Sequence, residues 1–165
     1  GSLAFDTTEA PPRAGPHDSG AGFGVSFLDR AKRGTWRVAV VEDSMAPAIQ
    51  PGDWLLVDPT AARWPRPGSV VLFREPDTDL LAIKRVAARS GHVAIPEGLL
   101  HLDPGEAWLV GDHDGHTRDS RTYGPVPFER FVGRAWFRYG PVRRIGRIGR
   151  IGRAAAAGYR HPSTG

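Results

Sequence analysis

Short apolar runs bounded by turn residues, with no long amphipathic helix among them, constrain this chain more than any other feature. Trp36–Val41 reads as a strand, and Trp54–Val57 as a second one after the Pro51-Gly52-Asp53 turn. Val70–Phe73 and Leu80–Ile83 follow, separated by the turn Glu75-Pro76-Asp77. His92–Ile95, Ala107–Val110 and Val132–Tyr139 complete the set, and Phe128–Phe131 is the one stretch that reads as a helical turn. Such spacing predicts a mainly β fold, a coiled antiparallel sheet or barrel-like core, rather than α/β.

The ends have a different texture. Residues 1–34 are rich in Gly, Pro, Ala and Ser and predict a disordered arm, leaving a domain over 35–140. Residues 141–165 hold Ile-Gly-Arg three times and then four alanines, a low-complexity tail in which glycine disfavours helix. The tail also explains the net charge of +4: its six arginines take 22 basic residues down to 16, against 18 acidic ones. A basic tail of this kind suits peripheral contact with an anionic membrane, whereas no feature of the body calls for nucleic acid. No cysteine is present, which removes disulfides and thiolate metal sites. No apolar run reaches 18 residues, so the chain is expected in the cytoplasm or associated with a membrane without spanning it. Gly1-Ser2 reads as a remnant ahead of the natural sequence, which leaves room for an upstream anchor.

Three boxes carry the chemistry. Glu42-Asp43-Ser44-Met45-Ala46-Pro47 places a serine where a strand ends and the chain turns sharply, so its hydroxyl can be exposed to an approaching group. An ordinary turn or N-cap serine has the same local pattern. Ile83-Lys84-Arg85-Val86 places a lysine on an apolar strand, where desolvation disfavours the ammonium and a neutral amine can act as a base. The plain alternative is a lysine facing solvent from an edge strand. Arg85 alternates to the opposite face, within reach of a carboxylate. The third box runs from Gly111-Asp112-His113 through Thr117 to Asp119-Ser120-Arg121.

In that order the boxes resemble the signal peptidase I family of Ser/Lys endopeptidases, over roughly Val38 to Tyr139. Ser44, Met45 and Pro47 match its Ser-Met-x-Pro, although Ala48 stands where Thr is usual. Gly52 and Asp53 match the Gly-Asp that follows, and Lys84, Arg85 and Val86 match Lys-Arg-Val. Gly111, Asp112, Asp119, Ser120 and Arg121 match the last box, with His113 in place of Asn. The resemblance implies Ser44 as nucleophile, its N–H as an oxyanion donor, and Lys84 as general base oriented by Thr117. It implies Arg85 with Asp112, and Asp119 with Arg121, as supporting pairs. Substrate would lie as an extended strand between Val40, Val41 and Glu42 on one side and Leu81, Ala82 and Ile83 on the other. Glu42 sits where some members supply a second oxyanion hydroxyl. The implied partner is a precursor with an N-terminal leader cut after small residues, and no cofactor or metal is implied.

Within that family the short core is similar to the bacterial protease that matures nickel-type superoxide dismutase, and the core of a membrane-anchored signal peptidase is the second reading. Other readings stay open. His113, Asp114 and His116 have ligand chemistry at short spacing. A Ser-His-Asp triad would use the same serine. Self-cleaving repressors of the LexA type share the serine and lysine, but residues 1–34 are too rich in Gly and Pro for their DNA-reading helices. A non-catalytic β module could bind peptides by strand addition. Trp54, Trp64 and Phe73 would serve either as a membrane-contact surface or as core.

Overall fold

The computed structural model describes residues 5–6, 34–113 and 117–150, with only the backbone at Phe5 and Asp6. Its strands are β1 (Phe5–Asp6), β2 (Trp36–Val40), β3 (Trp54–Asp58), β4 (Val70–Arg74), β5 (Leu81–Ala88), β6 (Gly91–Ile95), β7 (Gly98–Leu102), β8 (Glu106–Val110), β9 (Val126–Pro127), β10 (Phe131–Gly140) and β11 (Gly146–Arg147). One antiparallel sheet runs β1-β2-β3-β10-β4-β5-β8-β9, with β11 on β10, and β6-β7 form a separate hairpin. The fold is the expected mainly β, antiparallel one, and the path is open, ending at β1 and β9.

Two loops matter for function. Between β2 and β3 the chain leaves the sheet, and the loop's ends are pinned by Val40 N–H to Asp53 O at 2.9 Å and Gly52 N–H to Val40 O at 2.8 Å. Gly52 takes φ +87°, a left-handed value that disfavours a side chain at that corner. Met45 and Ile49 point inward from the loop and are fully buried among Val38, Leu55 and Val57 of the core. Between β4 and β5 a hairpin fixes Val70 opposite Arg85 and Val71 opposite Lys84. β5 is buried on both faces from Ala82 to Val86, so its lysine and arginine cannot simply reach out to water.

Of the aromatic residues considered for a membrane surface, Trp64 and Phe73 are core. Trp64 packs edge-on against Phe128 and Phe131 at 5.7 and 5.5 Å and donates its indole N–H to Gly105 O. Trp54 is half-buried against Tyr139. The structure adds β1, β7, β9, β11 and a short helix α1 (Ser120–Tyr123) to the elements read from sequence. It also adds a 3-10 turn at Val142–Arg144 to the one found at Phe128–Arg130. Residues 141–150, assigned from sequence to the tail, therefore belong to the fold. The remainder of both arms, apart from Phe5, Asp6 and Gly34, lies outside the described residues. No helix among the described residues is long and apolar enough to cross a membrane.

Candidate active site

Ser44 sits on the β2–β3 loop with 6% of its surface exposed. A tight turn holds it, with Ala46 N–H on Asp43 O and Ile49 N–H on Met45 O. Its Oγ is buried and has no hydrogen-bond partner among the described residues. Buried hydroxyls are nearly always paired, so an orphan here is informative.

Lys84 lies 2% exposed in the middle of β5. Burial pulls its pKa down from 10.5 to about 8, although the charges of Asp119, Glu75 and Glu42 act in the opposite direction. No carboxylate among the described residues forms a close ion pair with it. The ammonium is thus destabilised without being neutralised by contact.

The third box brings these two elements to one face. β8 pairs with β5 so that Val110 lies opposite Arg85. The ladder ends at that pair, and the next residues on the two chains are Lys84 and Gly111. A Cβ on Gly111 would stand 2.7 Å from Thr117 Oγ1 and 2.8 Å from the Ser44 carbonyl oxygen. His113 N–H then donates to that same Ser44 carbonyl at 3.2 Å. Ser44 and Thr117 therefore meet at Gly111, one residue beyond the end of the β5–β8 ladder.

The charged residues frame this point. Arg85 is fully buried on the opposite face of β5 and donates through Nε to both Asp112 carboxylate oxygens, at 2.9 and 3.1 Å. Asp119 caps α1 and accepts from Arg121 Nε at 3.0 and 3.1 Å, from Gly111 N–H at 3.0 Å and from Thr117 Oγ1 at 3.3 Å. Burial alone would raise the Asp119 pKa, but the hydrogen bonds from Arg121 and from Gly111 N–H outweigh it and hold the carboxyl below its ordinary value. Burial raises Glu42, with Lys84 pulling the other way.

The two edges expected to hold a peptide differ. β8 pairs with β5 only from Arg85 onward, so Leu81, Ala82 and Ile83 have one edge without a strand partner among the described residues. On the serine side, Val41 is 49% exposed and Glu42 half-buried. Val40 turns its own N–H and C=O inward, to Asp53 and Gly52. Backbone groups alternate between edges, so Ala39 and Val41 face outward instead, and β1 lies along that edge opposite Ala39 and Val40. Asp114 and His116 of the histidine loop lie outside the described residues. Among those described, no group of three ligand side chains could hold a metal.

Sequence reasoning missed a second polar cluster beside the lysine. Glu75 is buried, accepts from Thr78 Oγ1 at 2.8 Å and faces Arg118 at 3.7 Å. Tyr123 packs on Phe73, and burial pushes its phenol far up, reinforced by Glu75 and Asp119. The only sequence signal was a carboxylate at a hairpin turn, which is commonplace.

Comparisons with known proteins bear on the family. The Peptidase S24-like family matches residues 22–96, a stretch holding both Ser44 and Lys84. Mitochondrial inner membrane protease subunit 1 of Xenopus tropicalis is 33% identical over 113 residues, covering 62% of this chain and 68% of the relative. Mitochondrial ATP-independent inner membrane protease subunit 1b of Arabidopsis thaliana is 32% identical over 116 residues, covering 62% and 69%. Probable signal peptidase I-1 of Synechocystis sp. is 26% identical over 141 residues, covering 65% and 72%. With the antiparallel β core and the three boxes in order, these similarities establish that the chain belongs to the signal peptidase I family of serine peptidases.

Proposed function

We propose that this chain removes N-terminal leader peptides using Ser44 as nucleophile and Lys84 as general base. The observation that carries this reading is a buried lysine, lowered to about 8, at the end of the strand ladder beyond which Gly111 meets the Ser44 loop. Neutral Lys84 Nζ takes the proton from Ser44 Oγ, which attacks the scissile carbonyl. The Ser44 N–H stabilises the developing oxyanion, and the Lys84 ammonium then returns its proton to the leaving amine. Water, deprotonated by Lys84, attacks the acyl ester and frees the serine. Thr117 orients the amine, while Asp119 keeps Thr117 and Gly111 in place. The peptide lies extended along Leu81–Ile83 and Val41, with small side chains before the cut.

For substrate, the narrower reading is a precursor-maturation protease of the nickel superoxide dismutase type. Relatives named as inner membrane proteases and signal peptidases favour a second reading, a membrane-associated processing enzyme. Two leader peptides test both readings, one a secretory signal ending Ala-x-Ala and one a dismutase leader with His at the new N-terminus. Cleavage that disappears in Ser44→Ala and in Lys84→Ala supports the dyad, and the preferred peptide selects the substrate class. Peptide binding without turnover by the parent chain would overturn the enzymatic reading in favour of a binding module.

A further inference from the structure

The C-terminal segment after β10 touches both halves of the site. From Pro141 the chain turns through Val142–Arg144, returns as β11 with Arg147 opposite Phe137, and seats Ile148 against the core. On the serine side, Arg144 Nη2 lies 3.4 Å from Asp53 Oδ2 and from Ala48 O, and 3.5 Å from Pro47 O. Arg138 joins it, donating to Ala48 O at 2.8 Å and to Asp53 Oδ2 at 3.3 Å, and its Nε donates to Arg144 O. Pro47 and Ala48 belong to the turn that presents Ser44. Asp53 is buried and caps the loop through Gln50 N–H at 3.0 Å.

On the lysine side, Gly149 O accepts from Arg85 Nη1 at 2.7 Å, and the same nitrogen donates to Gly68 O at 2.6 Å. Arg85 is the residue after Lys84 and is fully buried. The segment passes so close that a Cβ on Gly68 would collide with Arg150 O. One short piece of chain thus supplies a cation to the carbonyls of the serine turn and a carbonyl to the cation beside the lysine. The Arg85 guanidinium is buried and loses more on removal of a carbonyl partner than a surface pair would, while Arg144 is a partly exposed clasp that works through several acceptors at once.

We propose that residues 141–150 form a strap that holds the Ser44 turn and the Lys84 strand in register, with Arg144 and the Gly149 carbonyl as its two clasps. The proposal rests on the Ser44–Lys84 reading, and Arg144 acts as a positioning residue. Lacking direct contact with substrate, the strap affects kcat more than KM.

The chain has no cysteine, so Ser44→Cys introduces a single reporter thiol whose alkylation rate against pH gives its pKa. On the Ser44–Lys84 reading that thiol titrates below the free-cysteine value of about 8.5, and Lys84→Met brings it back up. Three strap variants are compared in both the Ser44 and Ser44→Cys backgrounds: a chain ending at Arg150, a chain ending at Arg144, and Arg144→Gln, with Arg144→Lys as the conservative rescue. Ending at Arg150 leaves the thiol pKa and leader-peptide kcat as in the full chain. Ending at Arg144 or substituting Gln raises the thiol pKa toward about 8.5 and lowers kcat at least tenfold with KM within about twofold, and Lys restores part of both. Should the chain ending at Arg144 fail to fold by circular dichroism, Arg144→Gln decides alone. A melting point that falls while thiol pKa and kcat stay at parent values overturns the strap. A full-chain thiol of ordinary pKa that ignores Lys84→Met instead overturns the dyad, and the strap with it. Strap-dependent thiol chemistry without any leader cleavage keeps the strap and overturns the peptidase reading.

Discussion

Gly111 stands against the Ser44 carbonyl oxygen so closely that a methyl group in its place would lie 2.8 Å from it. Thr117 Oγ1 closes the other side at 2.7 Å. Neither contact can relax freely, because His113 N–H holds the Ser44 carbonyl and Asp119 holds both Gly111 N–H and Thr117. Gly111→Ala is therefore expected to push the serine turn away from β8. Overpacking at such a site costs about 1–3 kcal/mol, and displacing a nucleophile by about 1 Å lowers turnover on the order of a hundredfold. Urea unfolding and kcat on a leader peptide check both parts. An alanine variant with parent kcat would show that the Ser44 loop does not need this approach.

The pH dependence follows from Lys84. Its pKa of about 8 means that the amine proposed as the base is mostly protonated at pH 7 and becomes neutral as pH rises. Leader cleavage should therefore increase through pH 8 and level off above it, with kcat/KM reporting the pKa of the free enzyme. Asp119→Asn removes the carboxylate whose charge contributes most to holding the proton on Lys84, so it should move this limb to lower pH. A limb that stays in place on loss of Asp119, or moves upward, would contradict this account of the lysine's surroundings.

Lys84 also shows how far local pattern reading could go. Its burial was legible because four apolar residues lead into it, and the strand period sends Arg85 to the other face. The core strands were legible for the same reason, being short apolar runs ended by turn residues. Helix α1 was not, because four residues carry no periodicity and its cap is Asp119, which the boxes had already drawn into a charged pair. β7 was missed because Leu99 and His101 of Gly98–Leu102 are exposed, and the two-residue turn Pro96-Glu97 alone joins it to β6. Residues 141–150 resisted for a different reason. Their glycines and arginines look solvated locally, and their partners, Asp53, Arg85 and Gly68, are remote in sequence. Long-range pairing of backbone carbonyls leaves no pattern in a single chain.

Stability should also depend on Lys84, with a sign opposite to that of an ordinary ion pair. Its native pKa of about 8 lies below the reference 10.5 of the unfolded chain. Below pH 8 both states hold the proton, and the native state bears the full cost of a buried ammonium, on the order of 3 kcal/mol. Between about 8 and 10.5 the unfolded state binds more protons, so native stability rises with pH and the cost is gone above that window. Lys84→Met is expected to be more stable than the parent at pH 7, by up to about 3 kcal/mol. The gain should shrink as pH passes 8. Urea midpoints at pH 7 and pH 10 measure it, and a constant difference between the two would refute the buried-charge explanation.

The pair on the other face of β5 should behave oppositely. Arg85 and Asp112 are both buried, and the guanidinium donates in addition to Gly68 O and Gly149 O. Asp112→Leu leaves that guanidinium without its counter-charge, and an uncompensated buried charge costs about 3–5 kcal/mol. Replacing both, as Arg85→Met with Asp112→Leu, removes the charge altogether and should recover much of that loss, although two carbonyls then lose their donor. Unfolding free energies of the two single variants and the double variant form a cycle, and a coupling of at least about 2 kcal/mol is expected for residues in one network. Additive losses would mean that Arg85 is held by the carbonyls of Gly68 and Gly149 and that Asp112 contributes little to its burial.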